Sequence, residues 1–210
     1  MILAIDGPTA SGKGTIARAL AAHFGLPHLD TGLLYRAVGR QVSLNGGNPD
    51  DQEAALAACD FPVALLQDAE LRTEVSGGLA SRVSIHPAVR QALFEWQRSF
   101  ATQPGGAVLD GRDIGTVIAP EADAKLFVIA SLEARAARRH AELHEAGRAV
   151  TLPDITAELA ARDKRDSNRK DAPLKPADDA FTLDTSAIGR EAAVALAIRL
   201  VSEKVVRPPA

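Results

Sequence analysis

Cysteine is all but missing from this chain: Cys59 is the only one in 210 residues. A single thiol excludes an internal disulfide and leaves a cysteine-based metal site without partners, which fits a reducing compartment. Cys59 itself reads as a small buried apolar residue. Neither sign of charge dominates. With 24 Lys and Arg against 27 Asp and Glu, the net charge of −3 gives no global attraction to nucleic acid or an anionic membrane. Phosphate recognition must therefore come from local groups of arginine and lysine. No apolar run approaches membrane-spanning length, and the first residues show no basic segment followed by a leader-like hydrophobic stretch. The expectation is a cytoplasmic protein with no membrane and no nucleic-acid partner. Internal repeats and low-complexity linkers are also lacking, and the length suits one α/β domain with insertions better than two independent domains.

What is present is concentrated in a few short segments. The apolar run Ile2-Leu3-Ala4-Ile5-Asp6 reads as a strand, and Gly7-Pro8-Thr9-Ala10-Ser11-Gly12-Lys13-Gly14-Thr15 follows it directly, before an amphipathic helix with Ile16, Leu20 and Phe24 on one stripe. Strand, glycine-rich loop and helix together form an anion cradle. Gly7 and Gly12 let successive N–H groups turn inward, Lys13 adds a mobile charge, and the helix offers its N-terminal dipole. The pattern implies a site for a nucleoside triphosphate. One position departs from the general P-loop: Gly14 stands where a Mg²⁺-binding Ser or Thr is usual, and the hydroxyl arrives one residue later, at Thr15.

Gly25 and Pro27 stop the first helix, and the short extended piece His28-Leu29-Asp30 leads to Thr31, read as the N-cap of a helix bearing Leu34, Val38 and Val42. Residues 50–100 read as a largely helical insertion, with one extended stretch from Phe61 to Leu66. Ala107-Val108-Leu109 and Leu126-Phe127-Val128-Ile129-Ala130 are short, wholly apolar runs of the kind buried on both faces of a parallel sheet. Leu132 to Asp171 is helical and strongly charged, with interruptions near Gly147 and Pro153. The chain closes with the strand Phe181-Thr182-Leu183, a helix with Val194, Ile198 and Val201, and a tail, Arg207 to Ala210, expected to fray. Strands alternating with helices predict a doubly wound parallel sheet with its ligands at the strand C-termini.

Phosphoryl transfer spreads negative charge over the transferred group, so cations should cluster. Arg135, Arg138 and Arg139 share helical spacings that let two or three guanidinium groups converge. Arg162, Asp166 and Arg169 lie on one face, beside Arg165. Two arginines around an aspartate suit a phosphate next to a ribose hydroxyl. A run such as Arg162-Asp163-Lys164-Arg165-Asp166 also suits a solvated helix face, and the P-loop in the same chain is what weighs for function. The turn Asp110-Gly111-Arg112-Asp113-Ile114-Gly115 follows a buried strand where a ligand-facing loop is expected. His140 and His144 have metal-ligand spacing but charged flanks and no zincin glutamate, and Trp96 with Phe100 reads as packing.

The P-loop, Leu29-Asp30-Thr31-Gly32 with Tyr35-Arg36, the Asp110-Gly111-Arg112-Asp113-Ile114-Gly115-Thr116 turn and the segment Arg162 to Arg169 together resemble the bacterial cytidylate kinases over nearly the whole chain. The Gly-Phe-Pro-Arg type of sequence found in adenylate kinases is lacking. The resemblance implies a single P-loop kinase domain, 1–210, with a parallel sheet flanked by helices. Its core would span about 1–35, 101–135 and 172–206, an acceptor-binding insertion about 36–100, and a short arginine-rich lid with acceptor-phosphate helices about 136–171. It implies transfer from ATP to CMP, and to dCMP, by a monomer, with Mg²⁺ held by Thr15 and, through water, by a strand-end acid such as Asp6 or Asp30.

By the same resemblance Gly7 to Thr15 holds ATP with Arg138 and Arg139 of the lid, and Lys13, Arg138 and Arg162 are catalytic. Thr31, Tyr35 and Arg36 begin the acceptor site, with Arg36 on the acceptor phosphate. Ser81, Arg90 and Asp113 meet the cytosine edge, and Gly111 and Arg112 belong to the same site. Arg162 and Arg169 bind the acceptor phosphate, and Asp166 binds the ribose. Family members often carry a longer antiparallel hairpin before Ser81, so the insertion sheet is expected to be shortened here. Two rivals are a P-loop kinase for UMP, AMP or a sugar acid, and a nucleotide-binding switch with no acceptor. The second would need a γ-phosphate-sensing Asp-x-x-Gly loop.

Overall fold

The computed structural model describes residues 1–206, so the expected fraying of Arg207 to Ala210 lies outside the described residues. Five strands, β1 (Ile2–Asp6), β2 (His28–Asp30), β3 (Ala107–Gly111), β4 (Ala124–Ile129) and β5 (Phe181–Asp184), form one sheet in the order β2-β3-β1-β4-β5. The β1–β3, β1–β4 and β4–β5 pairs run parallel. In register, Asp6 stands beside Gly111 on one side and Phe127 on the other, so the segments that leave β1 and β3 emerge together at one edge. Leu3, Ala4, Ile5, Val108 and Leu109 are fully buried, as strands covered on both faces require.

Among the described residues eight α-helices accompany the sheet: α1 (Lys13–Phe24), α2 (Thr31–Leu44), α3 (Gln52–Ala57), α4 (Glu74–Val83), α5 (Pro87–Ala101), α6 (Leu132–Glu145), α7 (Leu152–Asn168) and α8 (Arg190–Val206). Ile16 and Leu20 of α1 and Ala197 and Val201 of α8 join Leu3, Ile5, Leu126 and Val128 in one apolar core. A second, smaller cluster, Ala136, Ile155 and Leu159, joins α6 to α7. Ser131 caps α6 by accepting the Ala134 N–H, and Thr151 caps α7 by accepting that of Asp154. The helical pattern breaks between Glu145 and Leu152, near Gly147 and Pro153 as expected, and Pro153 lies in the first turn of α7, where its missing N–H has no intrahelical partner to lose.

The chain falls into two compact units: Met1–Leu29 with the chain from Ala101 onward, and Asp30–Phe100. The first holds the sheet core. In the second, no strand forms among residues 31–100. The extended stretch expected from Phe61 to Leu66 is corrected to a 3₁₀ turn, Val63–Gln67, followed by another, Ala69–Arg72. Pro62 sets the entry to the first, its carbonyl accepting the Leu65 N–H at 2.8 Å, and the Asp68 side chain caps the second through Glu70 N–H at 2.9 Å. Backbone groups satisfied in this way need no strand partner. The N-cap of α2 is Asp30, not Thr31: its carboxylate accepts the Gly32 N–H at 3.0 Å, and Thr31 is the first helical residue. α2 lies hard against α4 at Gly39, where an added Cβ would stand 2.7 Å from Leu79 Cβ.

Candidate active site

The loop after β1 has positive φ at Gly7 (154°), Ala10 (61°) and Gly12 (89°). At Gly7 a side chain would run into the Val128 carbonyl, so only glycine lets the loop leave the sheet here. Ala10 holds a left-handed conformation that costs about 1–2 kcal/mol for a residue with a Cβ. Several donors offset that cost. Lys13 Nζ donates to the Pro8 carbonyl at 3.3 Å, Arg135 Nη1 to the Thr9 carbonyl at 3.3 Å, and Thr185 Oγ1 to the Ser11 carbonyl at 2.9 Å. Arg112 Nη2 meets Thr9 Oγ1 at 2.7 Å. Ser11 is fully buried, and its Oγ has no hydrogen-bond partner. At Gly14 a Cβ would make only ordinary contacts, 3.6 Å from Arg18 Nη1 and from Asp110 Oδ2, so packing within the chain does not dictate that glycine.

The turn after β3 stands beside this loop. Asp110 is buried and takes a hydrogen bond from, or gives one to, His28 Nε2 at 2.7 Å. Beyond Arg112 and Asp113 the backbone makes one wide π-helical turn, Ile114–Ile118, in which the Asp113 carbonyl accepts Ile118 N–H and the Ile114 carbonyl accepts Ala119 N–H. The turn aims its first two N–H groups at Asp6, whose oxygens accept Ile114 N–H and Gly115 N–H at 2.8 Å each. Burial pushes the Asp6 carboxyl up to about 7, against those two bonds, which favour its ionised form. Both Asp6 oxygens are thus committed to backbone.

α7 brings Asp166 to the same region. It accepts from Arg112 Nε at 2.9 Å, with both side chains largely buried. Burial raises its carboxyl, but Arg112, Arg162 and Arg169 together outweigh this and hold it below the usual carboxylate range. Arg162 is buried on the same helix, and Arg169 Nη2 donates to the Ala172 carbonyl at 2.9 Å. Arg112, Asp166 and the phosphate loop are therefore joined by one continuous chain of hydrogen bonds.

The three α6 arginines do not point one way. Arg135 is buried, donates from Nε to the Ala130 carbonyl at 3.0 Å, and grips Asp163 of α7 at 3.1 and 2.6 Å. Arg138 Nη1 donates to Thr185 Oγ1 at 3.0 Å and Nη2 to the Thr185 carbonyl. Arg139 Nη1 pairs with Glu142 at 2.8 Å.

In the second unit Arg36 Nη1 donates to the carbonyls of Leu71 and Thr73 at 2.8 and 2.9 Å, tying α2 to the end of the 3₁₀ turns. The Arg90 guanidinium lies 5.8 Å from the centre of the Tyr35 ring, within cation–π range. Thr31 and Ser81 are buried, and the Ser81 carbonyl accepts the Ser84 hydroxyl. The other residues weighed from sequence serve packing or surface. Trp96 stacks on Phe61 at 5.6 Å, His140 lies over His144, and Cys59 is half-buried, its thiol pushed up to about 11 by burial. Among the described residues no three His, Cys, Asp or Glu side chains are grouped to hold a metal ion, and no helix is long and apolar enough to cross a membrane.

Sequence reasoning passed over Thr185, the Arg135–Asp163 pair and the His28–Asp110 contact. Thr185 was findable by position, since it stands just beyond a strand C-terminus in a parallel sheet, as does the turn from Asp110 that was expected to face a ligand. Arg135 carries no such signal in a helix dense with charge.

Residues 3–203 match the family model described as cytidylate kinase. The chain is 55% identical over 204 residues to the cytidylate kinase of Xanthobacter autotrophicus, covering 97% of this chain and 98% of that one. It is 54% identical over 199 residues to that of Cereibacter sphaeroides, covering 95% and 94%. Among solved structures it is similar to an uncharacterised protein from Eubacterium ventriosum, with TM-score 0.58, 18% identity and coverage of 97% and 98%, a likeness of fold.

Proposed function

Because this chain belongs to the cytidylate kinase family, we propose that it transfers the γ-phosphoryl group of ATP to CMP, giving ADP and CDP. The observation that carries this reading is the match along almost the whole chain to relatives named for that activity, together with a strained, heavily anchored phosphate loop at the C-terminal end of the central strand. dCMP, which differs only in the 2′ position, serves as a second acceptor. The chain acts as a monomer in the cytoplasm.

The backbone of Gly7 to Thr15 cradles the triphosphate, Lys13 bridges its phosphates, and Arg138 and Arg139 meet them from α6. Arg36, Arg162 and Arg169 take the acceptor phosphate, Asp166 the ribose, and Ser81, Arg90 and Asp113 the cytosine edge, with Thr31, Tyr35, Gly111 and Arg112 lining the acceptor. Residues of about 36–100 form the acceptor-binding insertion and those of about 136–171 the lid. Bound Mg²⁺ would neutralise charge on the transferring phosphates. Thr15 would hold it, with Asp110 through water. Of the strand-end acids, Asp110 places its Oδ2 3.6 Å from where a Gly14 Cβ would stand, whereas the Asp6 oxygens accept two amides and Asp30 caps α2. The few hard oxygen donors fit a cation that keeps several waters and binds largely through substrate phosphates.

An ADP-release assay with CMP, dCMP, UMP, AMP and no acceptor tests the proposal. Turnover with CMP and dCMP is expected, with little on UMP or AMP. Equal rates on UMP would overturn the cytosine assignment, and turnover without acceptor would point to the switch.

A further inference from the structure

One buried hydroxyl stands where four elements meet. Thr185, just past β5 and almost wholly buried, has its Oγ1 2.9 Å from the Ser11 carbonyl of the phosphate loop, 3.2 Å from the Ile129 carbonyl at the end of β4, and 3.0 Å from Arg138 Nη1 on α6. A hydroxyl has a single proton to give. The Ile129 carbonyl already accepts the Thr185 N–H at 2.8 Å, so the shorter bond to Ser11 is the one the proton serves, and a lone pair is left for Arg138. The Thr9 carbonyl is held in the same manner by the buried Arg135, itself fixed by Asp163 and the Ala130 carbonyl.

Peptide planarity turns these two anchors into a statement about the cradle. In a trans peptide the N–H of the next residue points opposite to the carbonyl, and no peptide of the described residues is cis. Holding the carbonyls of Thr9 and Ser11 fixes the opposite direction for the N–H groups of Ala10 and Gly12. Those are two of the loop residues with positive φ, the conformation that lets neighbouring amides face a common anion. Such a backbone is costly at Ala10 and needs over-determination from outside the loop.

We infer that Thr185 is a positioning residue of the phosphoryl-donor site: its hydroxyl holds the Ser11 carbonyl outward, aims the Gly12 N–H at the donor phosphates, and seats Arg138 beside them. The inference rests on the reading of this loop as the ATP site and adds to it a residue remote from the loop in sequence. Thr185→Val keeps the shape and removes both bonds of the hydroxyl.

The experiment measures binding of ATP with Mg²⁺, without acceptor, and separately binding of CMP, by calorimetry on the full chain. Thr185→Val should raise the Kd for ATP about tenfold, the worth of a buried acceptor left unserved. The Kd for CMP should stay unchanged, and Thr185→Ser, which keeps the hydroxyl, should bind ATP like the parent. Thr185→Cys, a weak donor of similar size, should resemble Thr185→Val and decides the matter if the valine variant does not fold. Parent-like ATP binding by the valine and cysteine variants would overturn the inference, as would equal weakening of ATP and CMP. If these ATP results hold while the parent fails to phosphorylate CMP, the activity assignment falls and the positioning role stands. If CMP is phosphorylated and the variants bind ATP normally, the positioning role falls alone.

Discussion

Removing the Asp166 carboxylate should unsettle the protein before any substrate is added. Asp166 is the shared counter-charge for Arg112, Arg162 and Arg169, and Arg112 also reaches Thr9 of the phosphate loop. Deleting one partner of a buried pair costs about 3–5 kcal/mol, because the other charge remains buried. Arg112 keeps its bonds to Thr9 and to the Gly111 carbonyl and retains some exposure, which places the cost for Asp166→Ala near the low end, about 3 kcal/mol. For a chain of this length that is a loss of roughly 6–12 °C in Tm. The sign with pH follows from the carboxyl being held low in the folded protein: its stabilisation is fully present above the unfolded carboxylate value and lost as pH falls below it. Thermal unfolding of parent and Asp166→Ala without nucleotide should show a constant gap from pH 6 to 8 that narrows below about pH 4. An unchanged Tm at pH 7, or a gap that does not narrow in acid, would refute the shared counter-charge.

Gly39→Ala should lower stability by about 2 kcal/mol, since its methyl group would stand 2.7 Å from Leu79 Cβ and 3.0 Å from the Leu79 backbone where α2 and α4 cross; a urea midpoint equal to the parent's would contradict that packing. Asp6 should titrate near 7 by carbon-detected NMR, well above the ordinary 3.8. Because its folded value exceeds the unfolded 3.8, its contribution favours folding below about pH 4 and fades as pH climbs through about 7. A carboxyl resonance already ionised at pH 5 would show that the two amide bonds win over burial. Lys13→Ala should lower kcat by about a hundredfold or more while Asp166→Ala acts mainly on KM for CMP; equal small effects on both parameters would sink these roles.

The central strands were legible because each carries a short apolar run that leads to Asp, Gly or Ser, and the phosphate loop because its glycines sit between such a strand and an amphipathic helix. The stretch from Phe61 to Leu66 misled. Its apolar residues resemble a strand, but Pro62 and Asp68 commit the backbone to local turns, and strand formation depends on a partner that no short window displays. Asp30 took the cap from Thr31 because a carboxylate is at least as good an acceptor for the first amides. The candidate arginines could be named from sequence, but not their partners. Arg135 and Arg138 differ by less than one turn, yet one is buried against Asp163 and the other faces Thr185, a division set by helices and strands distant in the chain.

The place of β1 in the sheet also sets how the molecule breathes. With β3 on one side and β4 on the other, β1 has no open edge, and its amides lie deepest in the hydrogen-bonded ladder. Hydrogen exchange should therefore reach β2 and β5 first and β1 last. The phosphate loop hangs directly from the strand that opens last, so fluctuations at the edges of the sheet fade before they reach the one segment whose amide directions must hold still.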